Sequence, residues 1–267
     1  MNDILLMCYS ICMKHLIFTD LDGTLLDHTT YSFEPALPML DFIKTNNIPL
    51  IIVTSKTKEE VLRIQKLLDV KAPFVVENGA GIFIPSKEGY KIVSMGFDYA
   101  YIRSCFLKYA KSVPILGFFD MKDEEVARYT NLSIENASYA RKRTFTEPFI
   151  LKDESKVDEL RLMAYKDKLD IIKGGRFYHL ISRGQDKANA IKFLINDYKK
   201  RSDEDFKTIA LGDSANDLSM LQCVDIPILI PHTDGSFIKC TIESITKAPF
   251  PGPKGWNAVL KEYFDVK

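Results

Sequence analysis

From residue 15 onward the chain alternates short apolar runs, rich in β-branched and aromatic residues, with amphipathic stretches of helical period, and this alternation constrains the fold more than any other feature. Strands separated by helices cannot pair as tight hairpins, so they assemble into a parallel sheet wrapped by helices. Residues 15–19, 49–53 and 74–76 read as strands and 35–45 as the first helix. Thr57, with Glu60 three residues on, forms a capping-box pair that starts a helix carrying Val61, Ile64 and Leu68 on one face. Asn78-Gly79 is a turn signal leading into a short run at 82–84. The expectation is an α/β protein with a doubly wound, Rossmann-like core.

Between about residues 86 and 182 the pattern changes character. Helical stretches at 99–109, 124–129 and 157–165 are separated by strand candidates at 145–151, 169–173 and 177–181, which describes an α+β layer inserted between two halves of the first domain. Alternation then resumes with helix 187–200, strand 208–211, helix 214–222, strand 226–230 and a last helix at 256–264. The expected organisation is core at 13–85, inserted cap at 86–182 and core again at 183–267.

With 267 residues and 46% hydrophobic content, the chain can bury a substantial core. Basic and acidic residues both count 36, so no global field favours nucleic acid or an anionic membrane, and the partner expected is a small molecule. Cys8, Cys12, Cys105, Cys223 and Cys240 are an odd, mostly scattered set that fits thiols in a reducing compartment, the cytoplasm, better than a disulfide framework. Residues 4–13 are apolar but lack a basic flank and a cleavage signal and are too short to span a bilayer. Met13 is therefore read as the natural start. Nothing in the sequence sets an oligomeric state.

Ile17-Phe18-Thr19-Asp20-Leu21-Asp22-Gly23-Thr24 puts two carboxylates, two residues apart, at the carboxyl end of the first strand, the end where open α/β sheets bind ligands. Phosphoryl transfer by covalent catalysis needs such a pair. Asp20 can attack phosphorus, while Asp22 protonates the leaving oxygen and later deprotonates the attacking water. Gly23 lets the chain turn away from the strand. A loop in which Asp and Gly merely favour a turn is the plainer alternative.

A second acidic cluster, Gly212-Asp213-Ser214-Ala215-Asn216-Asp217, follows another strand and opens a helix. Mg2+ takes hard oxygen ligands in octahedral geometry, and Asp20, the Asp22 carbonyl and Asp213 meet that need, with Asn216 and Asp217 behind them. Helix capping explains one of these residues and leaves the others without a reason. Thr54 ends the second strand, where its hydroxyl can hydrogen-bond phosphoryl oxygens, and Lys187 opens a later helix and offers a cation. Without that cation and Mg2+, a phosphate dianion would face only carboxylates.

These four pieces, in this order, resemble the motif set of the haloacid dehalogenase superfamily over essentially everything from Met13 onward, and the insertion between Thr54 and Lys187 resembles the larger cap of its sugar-phosphatase branch. Thr54-Ser55-Lys56-Thr57, Val76-Glu77-Asn78-Gly79, Arg143-Thr144-Phe145-Thr146-Glu147-Pro148-Phe149, Gly174-Gly175-Arg176-Phe177-Tyr178-His179 and Gly255-Trp256-Asn257 are similar to segments of the mannosyl-3-phosphoglycerate phosphatases. That resemblance implies Mg2+-dependent hydrolysis of a mannosyl- or glucosyl-3-phosphoglycerate to the glycosylglycerate, a compatible solute. The alternative within the superfamily is a broader sugar-phosphate phosphatase or a phosphomannomutase-like phosphotransferase. It also implies substrate contacts from Ser55, Glu77, Asn78 and Gly175. A substrate carboxylate is best matched by a planar guanidinium, so Arg143 and Arg176 are its candidate partners, and Thr146, Glu147 and His179 can reach sugar hydroxyls. The plainer readings are a solvated helix face for Arg141, Lys142 and Arg143, and a structural histidine in an apolar strand for His179. Ala188 replaces the glycine usual after the lysine, and Thr146 stands where serine is expected.

Overall fold

The computed structural model describes residues 14–173 and 177–266. The readings for Met13, Cys8 and Cys12 and for Gly175 and Arg176 lie outside the described residues. In chain order the elements are β1 (Lys14–Thr19), α1 (Leu37–Thr45), β2 (Leu50–Val53), α2 (Lys58–Leu68), β3 (Phe74–Val76), β4 (Gly81–Ser86), β5 (Gly89–Ser94) and α3 (Tyr99–Tyr109). There follow β6 (Ile115–Gly117), α4 (Asp123–Thr130), α5 (Ile134–Ala140), β7 (Glu147–Leu151), α6 (Val157–Lys166), β8 (Leu169–Lys173) and β9 (Tyr178–Ser182). The chain closes with α7 (Lys187–Ser202), β10 (Phe206–Gly212), α8 (Leu218–Leu221), β11 (Ile226–Leu229), β12 (Thr246–Lys247) and α9 (Gly252–Tyr263).

The chain divides into two compact units. One comprises the chain through Thr54, Val70–Phe74 and everything from Asp186 on; the other comprises Ser55–Asp69 and Val75–Gln185. The layer expected at 86–182 falls within the second unit, which also takes in 55–69, 75–85 and 183–185.

In the first unit the strands run parallel in the order β12-β11-β10-β1-β2. Leu16, Ile17 and Phe18 of β1 are fully buried, as a strand covered on both faces requires. The register aligns Thr19 with Leu211 on one side and with Ile52 on the other. The carboxyl ends of β1, β2 and β10 therefore reach the same rim, and the residues that follow them, Asp20, Thr54 and Asp213, emerge there. Asp186 caps α7 by accepting the Asn189 N–H at 2.8 Å, which makes Lys187 the first residue of the helix.

The helix expected over 214–222 is shorter. A 3-10 turn, Ala215–Asp217, precedes the single turn of α8, because the Asp217 side chain folds back onto backbone donors at the start of that turn. The last helix starts earlier than expected, at Gly252 with a proline in its first turn.

In the second unit β4 and β5 pair antiparallel, and β6-β7-β9-β8 form an antiparallel sheet. One face of that sheet buries Phe149, Leu151, Leu169, Ile171, Tyr178 and Leu180 against Ile102, Phe106 and Tyr109 of α3 and Leu160 and Ala164 of α6. A second cluster joins Phe118, Met121, Val126 and Ala137. The capping box at Thr57 is present, with its side chain accepting the Glu60 N–H and the Glu60 carboxylate accepting the Thr57 N–H. Among the described residues, Cys105, Cys223 and Cys240 are free thiols, and no helix is long and apolar enough to cross a membrane.

Candidate active site

The rim of the first unit gathers four aspartates and a lysine. Asp20 continues the β1 ladder for one more step, its N–H donating to the Leu211 carbonyl at 3.0 Å, and is 6% exposed. Two glycines make room for this crowding. Gly23 has φ +76°, and a Cβ there would stand 2.5 Å from Asp213 Oδ2; a Cβ on Gly212 would stand 2.4 Å from the Asp217 Cβ. Thr54, 1% exposed, follows β2 at the same level.

Lys187 is 1% exposed and donates from Nζ to Asp20 Oδ1 at 2.7 Å and to Asp217 Oδ1 at 2.6 Å. Asp217, fully buried, spends its other oxygen on the Asp213 N–H at 3.1 Å, the Ser214 N–H at 2.9 Å and the Ser214 hydroxyl at 3.0 Å. It thus fixes both the lysine and the loop that carries Asp213. Thr24 donates its hydroxyl to Asp213 Oδ1 at 3.1 Å, and the His232 Nε2 lies 3.2 Å from the Asp213 carbonyl oxygen. Asn216, expected beside Asp217, is exposed, and its side-chain oxygen accepts from the Ser214 hydroxyl.

One cation cannot balance this many buried carboxylates. Burial raises the Asp20 carboxyl well above its usual range, Lys187 opposes the shift, and Asp217, Asp213 and Asp22 add to it. Burial and then Asp217 push Asp213 up to about 7, against the pull of Thr24, Lys187 and His232. Burial works to strip the proton from Lys187, but Asp20 and Asp217 outweigh it and hold the ammonium above its ordinary range.

The donor set fits a small divalent ion. Asp20, Asp213 and Asp217 each offer an oxygen, all within 4.8 Å of one another. Oxygens around an octahedral Mg2+ stand roughly 3 to 4 Å apart, and only hard ligands are present. The Asp22 side chain is not in this group. Because Asp217 is already bonded through both oxygens, Asp20 and Asp213 are the carboxylates best placed to bind the ion. Such an ion supplies positive charge that offsets both the crowded carboxylates and a bound phosphate.

Residues 17–232 match the family model of the haloacid dehalogenase-like hydrolases. The chain belongs to that family. It is 47% identical over 253 residues to a glucosyl-3-phosphoglycerate/mannosyl-3-phosphoglycerate phosphatase of Persephonella marina, covering 91% of this chain and 94% of that one. It is 39% identical over 266 residues to a protein of the same name from Methanococcoides burtonii, covering 94% of this chain and 97% of that one. Among solved structures it is similar in fold to a protein of Thermoplasma acidophilum, with TM-score 0.70 at 18% identity over 96% of this chain and all of that one. It is also similar in fold to the sucrose-phosphatase of Synechocystis, with TM-score 0.63 at 15% identity over 95% of this chain and 98% of that one.

The second unit of this hydrolase holds the other residues singled out in the sequence, and several have structural work there. Glu77, 1% exposed, accepts the N–H groups of Thr144 at 2.8 Å, Phe145 at 3.2 Å and Thr146 at 2.8 Å, and the Thr146 hydroxyl at 2.7 Å. Its own N–H donates to the Lys56 carbonyl at 3.0 Å, and its carbonyl accepts from Gln185 Nε2 at 2.8 Å. Glu77, expected as a substrate contact, and Thr146, expected at a sugar hydroxyl, are thus bonded to each other. Glu147, expected at a sugar hydroxyl, also has partners within the second unit. Strand alternation turns it to the face covered by α3, where it is fully buried, accepts from the Tyr99 hydroxyl and from the Phe119 N–H at 3.1 Å, and lies 3.6 Å from Arg103 Nη1.

Arg143 follows α5 and its turn and is not part of a helix face. Its Nη1 donates to the Ser55 carbonyl at 2.8 Å, directly after Thr54 in the chain. His179 alternates to the face opposite Tyr178 and Leu180, and burial, then Arg143, lower its pKa to about 3, so it is neutral at physiological pH. Asn78 is 8% exposed and, like Glu77, has positive φ. Sequence reasoning missed Thr24 and His232. Thr24 carried a signal, since it lies two residues beyond Asp22; His232 sits 19 residues from its partner and carried none.

Proposed function

We propose that the chain is a Mg2+-dependent phosphatase that hydrolyses glucosyl-3-phosphoglycerate and mannosyl-3-phosphoglycerate to the glycosylglycerate and inorganic phosphate. The observation that carries the substrate is the 47% identity, over 91% of the chain, to a relative named for that activity. Asp20 attacks the phosphorus; a new bond forms between its carboxylate oxygen and phosphorus as the ester bond to the glycerate oxygen breaks. Asp22 donates its proton to that leaving oxygen. Water then attacks the aspartyl-phosphate, returns a proton to Asp22 and releases phosphate, leaving Asp20 as a carboxylate. Lys187 and Thr54 hold phosphoryl oxygens in line with Asp20, and Asp217 holds Lys187 in place. Asp213 and Asp20, with the Asp22 carbonyl, would hold the ion, whose charge would offset that of the phosphate.

Substrate choice is assigned to the inserted layer at 86–182. There Arg143 has a further valence to offer, because its buried Nε has no hydrogen-bond partner among the described residues. A planar guanidinium with an unused donor suits the carboxylate that glycerate adds to the phosphate ester. The test is phosphate release across a panel of both glycosyl-3-phosphoglycerates, hexose phosphates and 3-phosphoglycerate, with and without Mg2+. Turnover of the glycosyl-3-phosphoglycerates far above the rest, and only with Mg2+, is the expected result. Equal turnover of hexose phosphates contradicts the substrate, and Mg2+-independent turnover contradicts the metal.

A further inference from the structure

The last helix carries a stretch that the catalytic reading leaves unused, Gly255-Trp256-Asn257, of which Trp256 and Asn257 tie α9 to β1 and α1 of the first unit. A Cβ on Gly255 would stand 1.7 Å from the Phe250 carbonyl oxygen, so no larger residue fits there without moving backbone. Asn257 Oδ1 accepts the Met39 N–H of α1 at 3.2 Å. Trp256, the single tryptophan of the chain, is fully buried and donates its indole N–H to Thr19 Oγ1 at 3.2 Å. Thr19, also fully buried, donates its own hydroxyl to the Asp20 carbonyl at 2.7 Å.

These bonds have a forced direction. Indole is a donor only, so it claims a lone pair of the Thr19 oxygen and leaves that hydroxyl's single proton for the Asp20 carbonyl. The Asp20 N–H is already held by Leu211 at 3.0 Å. Both peptide groups flanking Asp20 are therefore tied, one to β10 and the other, through Thr19, to α9. We infer that Trp256 is a positioning residue for Asp20, holding the nucleophile's backbone through the Thr19 hydroxyl so that its carboxylate leaves the strand in one direction. In-line attack tolerates little misplacement, and errors near 1 Å are felt in rate.

The inference rests on Asp20 being the nucleophile, and the experiment separates the two. In the full chain with Mg2+, kcat and KM are measured on p-nitrophenyl phosphate and on mannosyl-3-phosphoglycerate for Thr19→Ser, Thr19→Val, Trp256→Phe, the Thr19→Val/Trp256→Phe pair and Asp20→Asn. Thr19→Val and Trp256→Phe should each lower kcat on the order of tenfold, the weight of one ordinary hydrogen bond, with KM little changed. Thr19→Ser, which keeps the hydroxyl, should retain the rate, and the double variant should fall no lower than Thr19→Val because both act through one oxygen. Wild-type kcat in Thr19→Val, losses in the double variant that multiply, or a rise in KM alone would overturn the inference. Should Trp256→Phe not fold, equal kcat for Thr19→Ser and Thr19→Val does so by itself. An active Asp20→Asn instead removes the nucleophile reading; an inactive one beside normal Thr19→Val removes only the role of Trp256.

Discussion

Two of the places where the protein buries carboxylates treat them differently. Glu77, in the second unit, is surrounded by neutral donors: three successive backbone N–H groups and a hydroxyl satisfy both of its oxygens. Asp20, in the first unit, has one lysine to share with Asp217 and has Asp213 and Asp22 close by. Burial raises both carboxyls, yet at Glu77 the nearby Arg143 guanidinium and these hydrogen bonds oppose the shift, whereas at Asp20 three further carboxylates add to it. A buried acid with its hydrogen bonds complete is an anchor. One that remains crowded by like charge is a place prepared for a cation and for chemistry.

Substitution should separate the two sites most sharply. Asp20→Asn should cut phosphate release by about 1,000-fold or more while melting no earlier than the parent protein, since it removes a repelled buried charge. A comparable loss of stability there would erase the contrast. Glu77→Ala should do the reverse, costing on the order of 3 kcal/mol in denaturant unfolding because several buried donors lose their acceptor together. An unchanged unfolding midpoint would show that the 144–146 segment does not depend on Glu77.

The proton balance sharpens the same comparison. Without metal, the Asp213 carboxyl titrates near 7 in the folded protein against an ordinary value of 3.8. A carboxyl raised on folding binds its proton more tightly in the native state, so it favours the fold fully below its ordinary value. That contribution is lost as pH climbs toward 7. Metal binding needs the ionised form, so the stabilisation conferred by Mg2+ should be larger at pH 8 than at pH 6, by about 1 kcal/mol in thermal unfolding. Equal stabilisation at both would mean that the ion does not displace a proton from this cluster. His179 has the opposite sign: it is held at about 3 in the fold, so the unfolded chain binds the extra proton and stability falls as pH drops below 6.5. His179→Gln should flatten that acid limb by about 1 kcal/mol between pH 6.5 and 5. An unaltered limb would place the acid sensitivity elsewhere.

The first site was legible in sequence because its parts are local. Asp20, Asp22 and Gly23 follow one strand, and Asp213 through Asp217 follow another, so strand ends and spacing suffice to bring them to one rim. The capping box at Thr57 was legible for the same reason. Glu77 was not, because its partners lie 67 to 69 residues away and its positive φ, 51°, gives no sign in a glutamate. The buried setting of Glu147 was not legible because a two-residue period says which residues share a face without saying which face is covered. The strand β5 was missed because its residues are mostly exposed and lack apolar alternation, and α5 because its seven residues are too few to show a helical period.

The most direct test of the account is to quench a single turnover of substrate in acid and map the peptides of the Mg2+-loaded enzyme by mass spectrometry. The account requires one phosphoryl group, carried on Asp20, appearing and decaying at rates compatible with kcat and absent from Asp20→Asn. A phosphoryl group on any other residue, or full turnover in the Asp20→Asn enzyme, would contradict it.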